Sequence, residues 1–353
     1  MPNLLFIGTP QDCIPAMARA VGLGYSVYAV DGDPTSNGLA WVKKWGHGAD
    51  TADIYDFHWI HKTVLKNTWK IDAVLAVGTD IGPVVSLVAK GLGLPHISYN
   101  ISKLSWNKVE LKRVLRQAGI NVPRTADFVT KPIDGRGSRG VSVVSASNLW
   151  GAEWEAAKRS SPTGRVMCEE WIEGDGVSAE AIVWDSNIIF CGLTDRVYDV
   201  SKTVESGGFG PSKYEGKSPG VLCHLTIIKA IKALGIKFGT AKFDLILDER
   251  TGNCVVLEAA LGRMGGGYNF DYLEKSYGVN FLEMAFSTYC GQDPRPLMRI
   301  EKGCFVAGRY EMNGNPSKNG ERGEFKMVTG ETREEAERKL GYAKNEVENK
   351  SSR

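Results

Sequence analysis

The first hundred residues alternate short β-rich runs with helical stretches. That alternation constrains the chain more than any other feature, because neighbouring parallel strands need a crossover element and helices supply it. "NLLFIG" reads as a strand, "PQDCIPAMARAVGLG" as a helix closed by glycine, and "SVYAVDGDP" as a second strand. A polar helix around "DFHWIHKTVLKNTW", the strand "DAVLAVGTD", a further helix and a short strand "PHISY" follow. The expectation is an open α/β lobe built on a parallel sheet. "GTPQDC" lacks the G-x-G-x-x-G turn, so no dinucleotide is inferred. Asp31, Asp33 and Asp80 fall at strand ends, where open sheets take ligands and where turns and caps place acids equally well.

A chain of 353 residues exceeds one ordinary core, so two or three packed lobes are expected. Lysine plus arginine total 43 against 41 acidic residues, which gives no long-range attraction to nucleic acid or to an acidic membrane. Any anion site must therefore be local. The apolar run near the N-terminus is short and lacks the charge of a signal peptide, and no later run approaches membrane-spanning length. A cytoplasmic protein is the expectation. The 7 cysteines include no C-x-x-C pair and read as reduced core residues. His58 and His61 have no third ligand in sight, so no metal is assigned to histidine or cysteine.

Beyond residue 100 the style changes. "SWNKVELKRVLRQAGINVPRT" reads as a helix with Lys108 and Lys112 four apart on one face, ending at Gly119 ahead of Pro123. "KPIDGRGSRGVSVV", residues 131–144, then places Lys131 before Gly135, Gly137 and Gly140. Taken alone it suits a surface turn better than a phosphate cradle in which open backbone N–H groups and a lysine meet an anion. A strand at 141–144, the helix "NLWGAEWEAAKRS" and the strand "RVMCEEWIEG" follow. The remainder reads as an antiparallel-rich lobe: "VSAEAIVW", "NIIFCGLTD", a glycine-rich loop at 206–212, the helix "VLCHLTIIKAIKALG" and a hairpin "AKFDLILDERTGNCVVLEAA" turning at "DERTGN". A capped acidic turn and a polar helix close the sequence.

The hairpin concentrates chemistry. Strand alternation lets Asp244 and Glu258 face one side, and two carboxylates without histidine or cysteine suit a hard cation such as magnesium, which commonly bridges phosphates. Lys242 points to the same face. "GRMGGG" brings Arg263 and more glycines to that end. With the cradle at 131–140, this is equipment for a nucleoside triphosphate and its metal.

The order of these segments resembles the ATP-grasp superfamily, of the carboxylate-amine ligase type, over most of the chain. "NKVELKRVLRQAGINVP" is similar to its lysine-bearing helix, "VTKPIDGRGSRGVSVV" to its phosphate loop, "CEEWIEG" to its adenine-binding hinge, and "KFDLILDERTGNCVVLEAALGRMGGG" to its metal-binding segment. The resemblance implies an α/β and α+β architecture. A parallel-sheet pre-ATP-grasp lobe over residues 1–100 would precede a two-lobed ATP-grasp domain, with a central part at 101–172 and a C-terminal lobe and tail at 173–353. It implies ATP and Mg2+ as cofactors, with Lys108 or Lys112 and Lys131 on the phosphates and Gly137, Ser138 and Gly140 covering them. Glu169, Glu170, Trp171 and Ile172 would line the adenine pocket. Asp244 and Glu258 would hold magnesium, Lys242 and Arg263 would stabilise transferred charge, and Ser212 and Lys213 would lie near the acceptor. Partners would be a small carboxylate and an amine, with a homodimer common among relatives.

The chain departs from that pattern in four places. The family places asparagine two residues after the second metal acid, and here that position is Ala260. It carries a ribose-binding acid where this chain has Gly176, with Asp175 and Glu180 close by. Arg263 stands one residue farther from Glu258, and only seven residues separate Pro123 from Lys131. The expected activity is ATP-dependent joining of a carboxylate to an amine through an acyl phosphate, releasing ADP and phosphate. An ATP-dependent carboxylase or phosphotransferase, and a nucleotide-binding module without turnover, are the rival readings. Arg196, Lys213 and Arg263 lean toward an anionic substrate.

Overall fold

A computed structural model of the chain describes all residues except 127, 136, 145–150, 200–202, 312–324 and 342–353. The N-terminal part is β1 (Asn3–Ile7), α1 (Ile14–Gly22), β2 (Ser26–Asp31), α2 (Asn37–Trp45), β3 (Gly48–Thr51), α3 (Phe57–Lys66), β4 (Ala73–Leu75) and α4 (Gly82–Gly91). Its four strands form a parallel sheet in the order β3-β2-β1-β4. β1 is apolar from Leu4 to Ile7 because helices cover both faces, as parallel strands require. Leu4 and Phe6 enter the core on one side, and Leu5 and Ile7 the core on the other.

The expected strand "PHISY" is absent: residues 95–98 carry no strand, and the chain turns into α5 (Tyr99–Ser102). The fourth strand is β3 instead, whose "GADT" is a half-buried edge and has no apolar signature. Next come α6 (Lys108–Gln117), β5 (Val129–Pro132), β6 (Ser142–Val143), α7 (Ala152–Arg159) and β7 (Val166–Glu169). These strands make a small antiparallel sheet in the order β6-β5-β7. The beginning of the helix read from "NLWG" lies outside the described residues, and α7 starts at Ala152.

The third sheet is the largest. It comprises β8 (Gly174–Trp184), β9 (Asn187–Tyr198), β10 (Glu205–Gly210), β11 (Phe238–Asp248), β12 (Cys254–Leu261), β13 (Phe305–Tyr310) and β14 (Phe325–Gly330), all antiparallel, in the order β12-β11-β8-β9-β10-β13-β14. α8 (Ser218–Leu234), α9 (Gly267–Tyr277), α10 (Phe281–Tyr289) and α11 (Arg333–Leu340) accompany it. The segment read as a glycine-rich loop is mostly β10. Its glycines allow close approach rather than a turn: a Cβ on Gly208 would lie 2.5 Å from the Asp195 carbonyl oxygen. α9, α10, β13 and β14 had no counterpart in the sequence reading. The tail helix spans Arg333–Leu340, capped by the Thr332 side chain and closed at Gly341, and the rest of the stretch read as helix lies outside the described residues.

Strand alternation gives the large sheet two unlike faces. One buries Val177, Ala179, Ala181, Phe243 and Leu245 against α6 and α8. The other carries Ser178, Glu180, Lys242, Asp244 and Arg196, then turns apolar at Ile182 and Phe190, which join α9, α10 and the parallel sheet in one core. Phe286 of α10 sits in that shared core, its ring 6.2 Å from Phe6 and 5.6 Å from Tyr25 in edge-on contacts. Among the described residues no helix is long and apolar enough to cross a membrane. Because Phe286 is fully buried, Phe286→Ala should cost about 3–5 kcal/mol of stability, read as a lowered urea-denaturation midpoint.

Candidate active site

The small sheet and the polar face of the large one enclose a cavity of about 630 Å³, within the usual range for a small-molecule site. Of the residues singled out from sequence, Lys108, Lys131, Gly137, Ser138, Glu169, Glu170, Trp171, Ile172, Lys213, Asp244 and Glu258 line it. Lys112, Gly140, Lys242, Arg263 and Ser212 are not in its wall.

On the cradle side, α6 presents Lys108 and Lys112 from one face. Asn107 starts this helix, its side chain accepting from the Glu110 N–H. Lys108 Nζ donates to the Gly135 carbonyl at 2.7 Å and lies 3.3 Å from a Glu258 carboxylate oxygen, so it spans from the glycine loop to the hairpin. Lys112 lies behind it. Lys112 and Lys131 both pair with Glu169, and all three side chains are less than a tenth exposed. Burial and the neighbouring Lys131 charge draw Lys112 down to about 7. Burial opposes Lys131 as well, yet Glu169 and Glu258 hold it above the ordinary lysine range. Glu169 is buried too, and the two ammonium groups keep it below the usual carboxylate range. In the loop itself Gly137 and Ser138 have φ of 64° and 57°, a left-handed turn that glycine and small polar residues tolerate best. Gly140 faces away from the cavity, since a Cβ there would meet α7 at the Ala157 Cα, 2.8 Å away.

The hinge leaves β7 through Glu170, which is bound by Arg124 through its N–H and its guanidinium. Trp171 Nε1 donates to Glu173 at 2.6 Å. Asp175 then pairs with Lys213 Nζ at 2.8 Å and accepts from the Tyr214 hydroxyl. Ser212 is buried and donates to Asp195, which also takes the Lys213 N–H and Arg333 of α11.

On the hairpin side, Asp244 and Glu258 are direct cross-strand partners, as alternation required. The register then slips, leaving Leu257 as an extra residue in β12. This bulge lets consecutive residues, Leu257 and Glu258, both line the cavity. Asp244 Oδ1 takes Lys242 Nζ at 2.9 Å and Arg196 Nη2 at 3.0 Å. Burial works against its ionisation, but Arg196, Lys242 and Arg263 outweigh it and hold the carboxyl well below the usual range. Arg196 also binds Glu205 at 2.6 Å.

Arg263 is anchored from the other lobe. Its Nη2 pairs with Asp80, and its loop is stitched to the end of the parallel sheet: Val77 bridges Met264, whose N–H donates to Ala76 and whose carbonyl accepts from Gly78. Three buried side-chain atoms have no partner among the described residues, namely Glu180 Oε1, Arg196 Nε and Arg263 Nε. All belong to this cluster, which is where a polar ligand would complete the hydrogen bonding. Burial pushes the Glu180 carboxyl up, against the pull of Lys242 and Arg263. From the sequence Glu180 stands only as an acid close to the ribose position, and Tyr198 is not singled out. Alternation along "GLTDRVYDV" puts Arg196 and Tyr198 on one side, which was the available signal.

The chain carries an ATP-grasp domain: residues 105–259 match the model of that family. No curated protein matches the chain by sequence. Among solved structures it resembles an L-amino acid ligase from Bacillus licheniformis, at 16% identity and a TM-score of 0.80, over 99% of this chain and 98% of that one. It also resembles phosphoribosylglycinamide synthetase from Anaerococcus prevotii, at 16% identity and a TM-score of 0.74 over 96% of each chain. A third is N5-carboxyaminoimidazole synthetase from Staphylococcus aureus complexed with ADP, at 14% identity and a TM-score of 0.75 over 96% of each chain. These likenesses establish a shared fold.

The lowered Lys112 value has a measurable sign. Between pH 7 and the ordinary lysine value of 10.5 the unfolded chain binds more protons at this residue than the folded one, so its contribution to stability rises with pH. Lys112→Met should flatten the gain in denaturation midpoint between about pH 7 and pH 9.5 relative to the wild type.

Proposed function

We propose that this protein is an ATP-dependent ligase that activates a carboxylate as an acyl phosphate and joins it to an amine. The observation that carries this reading is the meeting of the lysine-glycine segment and the paired acids across one cavity. The adenine lies against the hinge at Glu169–Ile172, and the phosphates lie between Gly137, Ser138, Lys108 and Lys131. Lys112 acts behind them by sharing Glu169 with Lys131, which keeps the cradle charge compact.

Asp244 and Glu258 fit a hard divalent cation. They are opposed in register, they line the cavity, and Asp244 is held ionised. No group of three or more acids, histidines or cysteines is placed to hold a metal among the described residues, so Asp244 and Glu258 would hold the cation with oxygens of phosphate and water beside them, as magnesium readily accepts. When bound, magnesium neutralises charge on the phosphates.

A substrate carboxylate oxygen attacks the γ phosphorus, the bond to ADP breaks, and an acyl phosphate forms. Arg196 in the cavity wall, with Lys242 and Arg263 behind it, stabilises its charge. An amine then attacks the acyl carbon and phosphate leaves. No nucleophilic side chain is required, because position and electrostatics supply the catalysis.

The test is magnesium-dependent ADP release against a panel of carboxylates and amines, with bicarbonate included. New amide identifies a ligase, turnover that needs bicarbonate alone identifies a carboxylase, and no ADP release with any pair sinks the enzyme reading. Lys131→Ala should lower turnover by about 10²-fold or more with the fold retained by circular dichroism. Asp244→Asn should raise the magnesium concentration needed for half-maximal rate.

A further inference from the structure

Between the hinge and Asp244 the cavity floor is made by Gly176 on β8, Ile246 beside it on β11, and Tyr198 on β9. A nucleotide that places its base at the hinge and its phosphates at Lys131 and Asp244 sets its sugar over this stretch. Gly176 offers that sugar nothing. It also has no room for a side chain, because a Cβ there would lie 2.5 Å from Tyr198 Cε2 and 2.8 Å from the Tyr198 hydroxyl oxygen. The tyrosine ring fills the space that a longer residue at 176 would use.

The hydroxyl of Tyr198 makes no hydrogen bond among the described residues, although it borders a cavity and faces Arg196, Asp244, Glu205 and Glu258. Tyr198 is half-buried in the cavity wall, so its hydroxyl is open to a ligand there, and a tyrosine so placed pairs an apolar body with a polar tip that takes a partner. Burial pushes this phenol up beyond the ordinary tyrosine range, so it stays protonated and able to donate at any working pH. The acids nearby do not supply an alternative: Asp175 is engaged by Lys213 and Tyr214, and Glu205 by Arg196.

We infer that Tyr198 is the residue that recognises the ribose of the nucleotide, its hydroxyl bonding one of the sugar hydroxyls across the bare backbone of Gly176. This rests on the nucleotide reading above and concerns a residue that reading does not use. A neutral phenol replaces a carboxylate at this point, so the sugar contact is one uncharged hydrogen bond.

The experiment is calorimetric binding of ADP, 2′-deoxyADP and 3′-deoxyADP, each with magnesium, to the wild type and to Tyr198→Phe. This variant removes one oxygen that has no protein partner, so the fold is kept. ADP should bind the variant about 3- to 10-fold more weakly than the wild type, the range expected of one neutral hydrogen bond. One deoxy analogue should show the same loss on the wild type and no further loss on the variant, because both changes delete the same contact. Equal ADP binding by wild type and variant overturns the inference and leaves the ligase reading standing. A loss of the same size for all three nucleotides also overturns it, since the phenol would then meet another part of the molecule. Failure of ADP to bind the wild type overturns both.

Discussion

Asp244 accepts from Lys242 on its own strand and from Arg196 on β9, with β8 lying between them. This buried ion cluster is the constraint from which the rest of the site follows. Removing one member would strand a charge in the interior, at a cost of about 3–5 kcal/mol, so the three strands are held in one register on this face. The opposite face of the same strands is apolar and packed on α6 and α8. A single hairpin thus has a side that belongs to the core and a side that belongs to the chemistry, and the bulge at Leu257 adjusts the second without disturbing the first.

The cradle is organised by the same logic with the signs reversed. Here one buried carboxylate, Glu169, is shared between two buried lysines. Neither lysine can drift, because each is fixed by a short contact to the same acid. Charge fixed in this way needs little rearrangement to meet an anion. Lys108 completes the arrangement by touching both the glycine loop and Glu258, so the two walls of the cavity are already electrically coupled.

The sequence made some of this legible and hid the rest for physical reasons. The opposition of Asp244 and Glu258 could be read because a tight turn fixes register and alternation fixes side. β3 could not, since a half-buried edge strand need not be apolar, and β10 was disguised by glycines that serve close packing. Gly140 looked like part of the anion cradle because spacing alone does not distinguish a glycine that opens backbone to a ligand from one that lets α7 approach. Lys112 and Lys108 share a helix face, and only the depth of Glu169 separates their surroundings. Glu180 and Tyr198 gave weak signals because their surroundings come from strands distant in sequence. Asp80 was visible as an acid at a strand end, but its partner, Arg263, comes from the far end of the chain.

That last pairing shows where the chemical unit ends. The stretch that matches the family model stops at residue 259, short of Arg263, and the groups that grip the arginine and its loop, Ala76 to Asp80, precede the matched stretch altogether. A fragment cut to the boundaries of the matched stretch would keep the paired acids and the glycine loop while discarding the guanidinium and its mooring. The piece of this chain that holds the whole buried cluster is therefore larger than the piece that matches the family model.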